Sequence, residues 1–235
     1  MKLFLILLAL LLRFPQDPAT AEPPPAEPPP AVPAPPVFRP LVAEERQAFL
    51  DRMKETLAKI TTLEANFVQE RHISLFKEPL VARGVCYYQT PGTLRWELTE
   101  PYVSILVLKD GKVAKFDRVE GRLRKMNPGT EDLLREVLGQ IVEWIKGDFS
   151  HAEEMYELLF QKAEDYRIVM KPRSPELRKL IAAIELTIDP GTYRATRVVI
   201  REPGEDFLEI RFKAEKIDEK LEPALFDLES PAVPG

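Results

Sequence analysis

GVCYYQTPGTLRWELTEPYVSILVLKDGKVAKFD, residues 84–117, is the stretch whose reading decides the fold. Within it Leu94, Trp96 and Leu98 alternate with Thr93, Arg95, Glu97 and Thr99. A period of two places three large apolar side chains on one face of a strand and polar ones on the other. The next run, Tyr102 to Lys109, is apolar at nearly every position, as expected of a strand covered on both faces. Asp110 and Gly111 supply the residues of a tight hairpin, because both adopt positive φ at little cost. Pro91-Gly92 and Glu100-Pro101 punctuate the other ends. The stretch therefore predicts a β-meander of three or four strands with an inner face of leucine and aromatic residues.

Outward from the meander, the pattern alternates between strand and helix. Upstream, Val81 to Thr90 and Leu63 to Ile73 read as strands, the latter with Leu63, Ala65 and Phe67 on one face. Before them a helix starts near Val42. Phe49, Leu50, Met53, Leu57 and Ile60 form its apolar stripe, opposite Glu45, Arg52, Lys54 and Glu55. Its near-balanced charge favours packing on a sheet over lying on a membrane. Downstream, Glu120-Gly121 marks a turn and Arg122 to Met126 a short strand.

A second helix is predicted from Glu131 to Lys146. The apolar arc of Leu133, Leu134, Val137, Leu138, Ile141, Val142, Trp144 and Ile145 is wider than one core-facing stripe and implies contacts on two sides. The rest is β again, near 157–161, 166–171, 181–189, 192–202 and 207–213. Turn signals at Asp189-Pro190-Gly191 and Glu202-Pro203-Gly204 make these runs antiparallel neighbours. The fold class is mainly β with helices (α+β): one large, strongly curved antiparallel sheet with helices against one face.

The ends of the chain read differently. Met1-Lys2 followed by Leu3 to Leu12, with Ala19-Thr20-Ala21 after it, has the form of a cleaved export signal, residues 1–21. Its ten apolar residues are too few to span a bilayer, which needs about 20. No cysteine lies near the cleavage site, so no lipid anchor is expected and the mature chain should be soluble. Residues 22–40 hold ten of the 23 prolines. Such a segment favours polyproline II over helix or sheet and reads as a stiff linker, reaching roughly 60 Å at about 3.1 Å per residue. Residues 41–235 remain for the folded domain.

Removing the signal takes Lys2, Arg13 and Asp17 from 33 basic and 38 acidic residues, leaving 31 against 37. That balance argues against a nucleic-acid partner. The single cysteine, Cys86, cannot form an internal disulfide and reads as a small buried hydrophobe in a strand. His72 and His151, the only histidines, have no metal-ligand spacing to another His or Cys. No Gly-x-Ser-x-Gly motif, phosphate loop or dinucleotide fingerprint occurs. Glu153-Glu154 reads as a solvated face. The expectation is a protein that is not an enzyme, with no catalytic residue, no metal site and no cofactor.

These residues together resemble the LolA-like family of periplasmic outer-membrane lipoprotein carriers. The resemblance rests on Phe67-Val68-Gln69, Gly84, Pro91 to Glu97, Pro101, Ser104 to Val107, Asp110-Gly111 with Phe116-Asp117, then Leu225-Phe226 and Pro231. It implies an incomplete barrel of about eleven strands with a helical lid over an apolar cavity. It also implies a periplasmic monomer that shields the acyl chains of a lipoprotein or another lipid. An inner-membrane transporter would release that cargo and an outer-membrane acceptor would receive it. The cavity residues it implies are Phe67, Leu94, Trp96, Leu98, Leu106 and Leu108, and the lid residues Leu134, Leu138 and Ile141.

Two features depart from the family pattern. Gln89-Thr90 stand where the well-studied carriers have a basic pair, and Ala114 is nearest to a family tryptophan. His72 to Gly84 resembles a divergent branch whose cargo need not be a lipoprotein. Two other readings stand beside the carrier: a lipid-sensing or regulatory module of the RseB type, and an apolar inner face that is simply filled core.

Overall fold

The structure, a computed structural model, describes residues 36–127 and 129–233. The export signal and the linker up to residue 35 lie outside the described residues. Twelve strands form a single antiparallel sheet: β1 (Arg39–Pro40), β2 (Thr62–His72), β3 (Leu80–Gln89), β4 (Thr93–Glu100), β5 (Ser104–Lys109), β6 (Lys112–Val119), β7 (Arg122–Met126), β8 (Tyr156–Lys162), β9 (Tyr166–Pro172), β10 (Ala183–Ile188), β11 (Ala195–Arg201) and β12 (Phe207–Ile217). Their order is β1-β8-β9-β10-β11-β12-β2-β3-β4-β5-β6-β7, so β1 and β7 are free edges and the sheet does not close into a barrel. Among the described residues the helices are α1 (Ala43–Leu57), α2 (Glu131–Ile145), α3 (Ser150–Met155) and α4 (Pro175–Arg178). Among the described residues no helix is long and apolar enough to cross a membrane.

Most neighbours in the sheet are also neighbours in sequence, joined by short hairpins. Asp110 (φ 49°) and Gly111 (φ 68°) both take positive φ in the β5–β6 turn, as a two-residue hairpin requires. Two connections are long. One runs from β1, at an edge, to β2 and carries α1; β2 then pairs with β12 in a register that sets Phe212 opposite Phe67 and Ile217 opposite Leu63. The other runs from β7, at one edge, to β8, beside the opposite edge. That crossing must traverse the width of the sheet, and it carries α2 and α3. The topology thus lays α2 across the concave face.

The end of the proline-rich segment departs from its expected lack of sheet structure. Arg39 and Pro40 pair with Lys162 and Gln161 of β8. An edge position asks for few donors, so proline is tolerated there. Glu45 ties this segment to the start of α1. Its carboxylate accepts from both Arg39 and the Val42 backbone N–H, and these bonds, Arg39 first, lower its pKa to about 2.

Two apolar clusters hold the domain. The larger fills the concave side, where Phe49, Met53 and Leu57 of α1 and Leu134, Val137, Leu138 and Val142 of α2 meet inward residues of the sheet. The smaller lies on the convex side. There Tyr87, Ile105, Val107, Ala114 and Phe116 are covered by Leu225 and Phe226, which lie in the one-turn 3-10 helix Pro223–Phe226. Hence β5 is buried on both faces, as its unbroken apolar run foretold.

Arg95 and Glu97 are a finding against expectation. The alternation places them on the polar face of β4, yet their side chains are 0% and 2% exposed. Arg95 donates to Glu97 Oε2 through Nε (3.0 Å) and Nη2 (2.6 Å), and to the Leu225 carbonyl through Nη1 (2.7 Å). The C-terminal segment that covers the apolar outer faces of β5 and β6 also seals this pair.

Candidate ligand cavity

Between α1, α2 and the concave face of the sheet lies a hollow of about 130 Å³ that is partly open to solvent. The sheet supplies Leu63 and Ala65 from β2, Cys86 from β3 and Trp96 from β4. Ile184, Leu186 and Ile188 follow from β10, with Val198 and Ile200 from β11 and Ile210 and Phe212 from β12. Met53, Leu57 and Ile60 close one side from α1 and the loop after it. Val137, Gln140, Ile141, Trp144 and Ile145 of α2 roof it, with Phe149 beyond. The lining is almost wholly apolar, the character of a site built for a greasy ligand.

Glycine and aromatic packing shape the floor. A Cβ at Gly84 would lie 2.1 Å from the Glu97 carbonyl oxygen and 2.3 Å from Phe67 Cζ. Gly84 is paired with Phe67, and its missing side chain is what lets that ring lie flat over β3. Phe67 in turn stacks on Trp96 at 4.4 Å, and Phe212 meets Trp96 edge-on at 6.2 Å. Such aromatic pairs add about 0.5–1.5 kcal/mol beyond area burial. Trp96 Nε1 is buried without a hydrogen-bond partner.

Polar chemistry in the lining is confined to Gln140 and the pair Arg194–Glu215. β12 bulges between Lys213 and Glu215, with Ala214 at φ 48°. The extra residue returns Glu215 to the concave side, opposite Ala65. There Arg194, from the β10–β11 turn, donates to it. Burial pushes the Cys86 thiol up to about 12, so it stays protonated and unreactive.

The residues expected at the site divide. Trp96 and Ile141 are in the lining. Phe67, Leu94, Leu98, Leu106, Leu108, Leu134 and Leu138 are buried in the same concave cluster, packed beside and behind the lining. Val137, Trp144 and Ile145, also on α2, face the hollow. The contribution of β10 to β12 was missed, although Ile184, Leu186 and Ile188 alternate with Glu185 and Thr187 in a readable period of two. Gln89 and Thr90 are exposed, and Ala114 packs in the convex cluster.

Among the described residues one trio could approach a metal: Glu70, His72 and Glu209, with ligand atoms within 4.8 Å of one another. Arginine already occupies that charge. Arg211 bonds Glu70 at 2.9 Å and Glu209 at 2.8 Å, and Arg197 also donates to Glu209. The trio is an ion-pair ladder across β2, β12 and β11.

The family described as "Outer membrane lipoprotein carrier protein LolA" matches residues 58–229. An outer-membrane lipoprotein carrier protein of Methylococcus capsulatus (strain ATCC 33009 / NCIMB 11132 / Bath) is 36% identical over 66 residues, covering 28% of this chain and 32% of the relative. The match therefore spans about a third of that relative's length.

Among solved structures, an uncharacterized conserved protein of Thermus thermophilus is similar with TM-score 0.48 at 14% identity, over 79% of this chain and 97% of that one. A LolA superfamily protein of Nitrosomonas europaea gives 0.43 at 9%, over 77% and 96%. The Pseudomonas aeruginosa MucA/MucB complex gives 0.44 at 16%, over 77% and 59%. With the family match running from the end of α1 to the C-terminal segment, this chain belongs to the LolA outer-membrane lipoprotein carrier family.

Proposed function

We propose that the protein is a periplasmic carrier that holds the acyl chains of a lipoprotein, or of another lipid, in the hollow beneath α2. It would take the cargo from an inner-membrane transporter and pass it to an outer-membrane acceptor. The observation that carries this reading is the hollow itself, partly open to solvent and lined by apolar side chains, with amide or charged groups only at Gln140, Arg194 and Glu215. Moving acyl chains out of water gains about 0.8 kcal/mol per CH₂, so a carrier needs greasy volume and no catalytic group. The roof fits the role, since α2 lies within the single crossing between the sheet's two edge regions. Its half-buried Ile141, Trp144 and Ile145 can give way to a ligand at less cost than the fully packed Leu134 and Leu138.

Both tryptophans of the chain, Trp96 and Trp144, line the hollow, so intrinsic emission reports on it directly. Titration of the mature protein with a di- or triacylated lipopeptide should shift emission to the blue, and Trp144→Phe should leave the Trp96 part of the signal. A second arm follows transfer of that lipopeptide between vesicles. Binding with transfer supports the carrier; binding without transfer leaves a lipid-sensing module. No binding of any acylated ligand would sink the reading.

A further inference from the structure

We propose that the tip of the β2–β3 hairpin is a lipid-surface contact, inserting Leu75 and Phe76 into the interface of a bilayer leaflet. Leu75 is 84% and Phe76 50% exposed, and Val81 beside them is 45% exposed. Among the described residues, three large exposed hydrophobics thus fall within seven positions, two in the β2–β3 turn and Val81 at the start of β3. The tip is held in shape by its own bonds. The Phe76 N–H donates to the Ile73 carbonyl (2.8 Å), and the Ser74 N–H donates to Asp206 Oδ1 (2.8 Å) in the neighbouring β11–β12 turn. Beneath it the His72 ring stacks on Phe207 at 4.2 Å, and Arg71 pairs with Glu202. The apolar side chains are therefore presented outward by a braced turn.

The occupant follows from size and charge. A specific protein interface buries about 800 Å² on each partner, far more than two side chains and a valine provide. An apolar tip needs only the depth of the headgroup boundary, about 5–10 Å. Lys77 and Glu78 lie in the tip itself, Asp206 is bonded to it, and Arg83 is paired with Glu100, so no basic patch stands ready for anionic headgroups. The contact is apolar in origin and suits an uncharged lipid surface. Two side chains make a weak, reversible anchor. That this weakness serves a shuttle rests on the carrier reading; the contact itself does not.

The test uses the mature chain with Leu75→Cys carrying an environment-sensitive thiol-reactive dye. Cys86 is buried and will not compete for it. Phosphatidylcholine vesicles should shift the dye to the blue, equally at low and high salt. A dye at Glu164→Cys, an exposed site in the β8–β9 turn at the far end of the sheet, should stay unshifted. Vesicle flotation should weaken roughly tenfold or more in Leu75→Ser/Phe76→Ser, a factor that one such side chain's transfer already supplies.

Several results overturn the proposal: no shift at position 75, an equal shift at 164, or a shift that needs phosphatidylglycerol and vanishes in salt. A shift that grows with protein concentration without vesicles assigns the tip to a second copy instead. Because Trp96 and Trp144 report on the hollow and the dye on the tip, failure of one reading is visible apart from failure of the other.

Discussion

On its concave face β4 carries Leu94, Trp96 and Leu98; on its convex face it carries Arg95 and Glu97, and both sets are buried. The concave set borders a hollow that the chain does not fill. The convex set is sealed by the chain's own C-terminal segment, with Leu225 and Phe226 packed over Ile105, Val107, Ala114 and Phe116. One face is finished and the other is left open. The difference separates stability from binding: perturbation of the convex face should unfold the domain, whereas perturbation of the concave face should first alter what the hollow can hold.

The largest effect is expected at Arg95. Arg95→Ala would leave Glu97 buried without its partner and the Leu225 carbonyl without its donor. Breaking a buried pair in this way costs about 3–5 kcal/mol, while replacing both partners with apolar residues of similar size is often near neutral. Urea unfolding should therefore show Arg95→Ala strongly destabilised and Arg95→Met/Glu97→Leu clearly less so, its remaining loss of about 1–3 kcal/mol being the Leu225 carbonyl left without a donor. Acyl binding, measured on the folded fraction, should be unchanged in both. Loss of binding in the double variant would break the separation of the faces.

The Arg95 result also marks how far the sequence could be read. Alternation along residues 93–99 shows which residues share a face, but not what covers that face. The cover comes from residues 223–226, more than a hundred positions away, and no local pattern links the two. Local signals did better. Asp110-Gly111 placed a hairpin where one exists, and the wide apolar arc predicted a helix from Glu131 to Lys146 where one runs to Ile145, with Lys146 as its cap. β1, α3 and α4 escaped notice because two to six residues carry too little periodicity. Within the candidate site, Leu94 and Trp96 look equivalent in sequence. In the fold Trp96 lines the hollow, whereas Leu94, paired with Tyr88 and Leu108, lies behind it.

Gly84 links the two faces. Gly84→Ala would drive a methyl group into the Glu97 carbonyl and the Phe67 ring. Overpacking of this kind typically costs about 1–3 kcal/mol. The Phe67 ring should also lift from Trp96, so the variant should shift tryptophan emission without any ligand present. A normal melting curve with unchanged emission would show that the floor is softer than its packing implies.

A matched pair compares the faces more directly. Phe116→Ala, on the convex side, should lower stability by about 3–5 kcal/mol with no change in acyl affinity of the folded protein. Ile141→Ser, on the half-buried roof, should cost less than Phe116→Ala because the site already borders open volume. It should nonetheless weaken acyl binding severalfold. If Ile141→Ser only destabilises, the hollow is ordinary core.

The smallest effect expected is one of pH, and it belongs to the convex face alone. Asp227 accepts from the Ser230 N–H (2.8 Å) and the Glu229 N–H (2.7 Å), fixing the turn that follows Leu225 and Phe226. Those two bonds, Ser230 first, lower its pKa below the ordinary 3.8. A carboxylate depressed on folding adds stability above its unfolded pKa and loses it as pH falls through the folded value. The difference between wild type and Asp227→Ala should accordingly be present at pH 7 and shrink as pH drops below about 3.8. Asp227 is exposed, so solvent screening keeps the effect small. Over the same range Trp96 emission should change only when the whole domain unfolds, since apolar side chains surround it. A Trp96 transition that tracked Asp227 protonation instead would mean that the C-terminal cover and the hollow are coupled through β4.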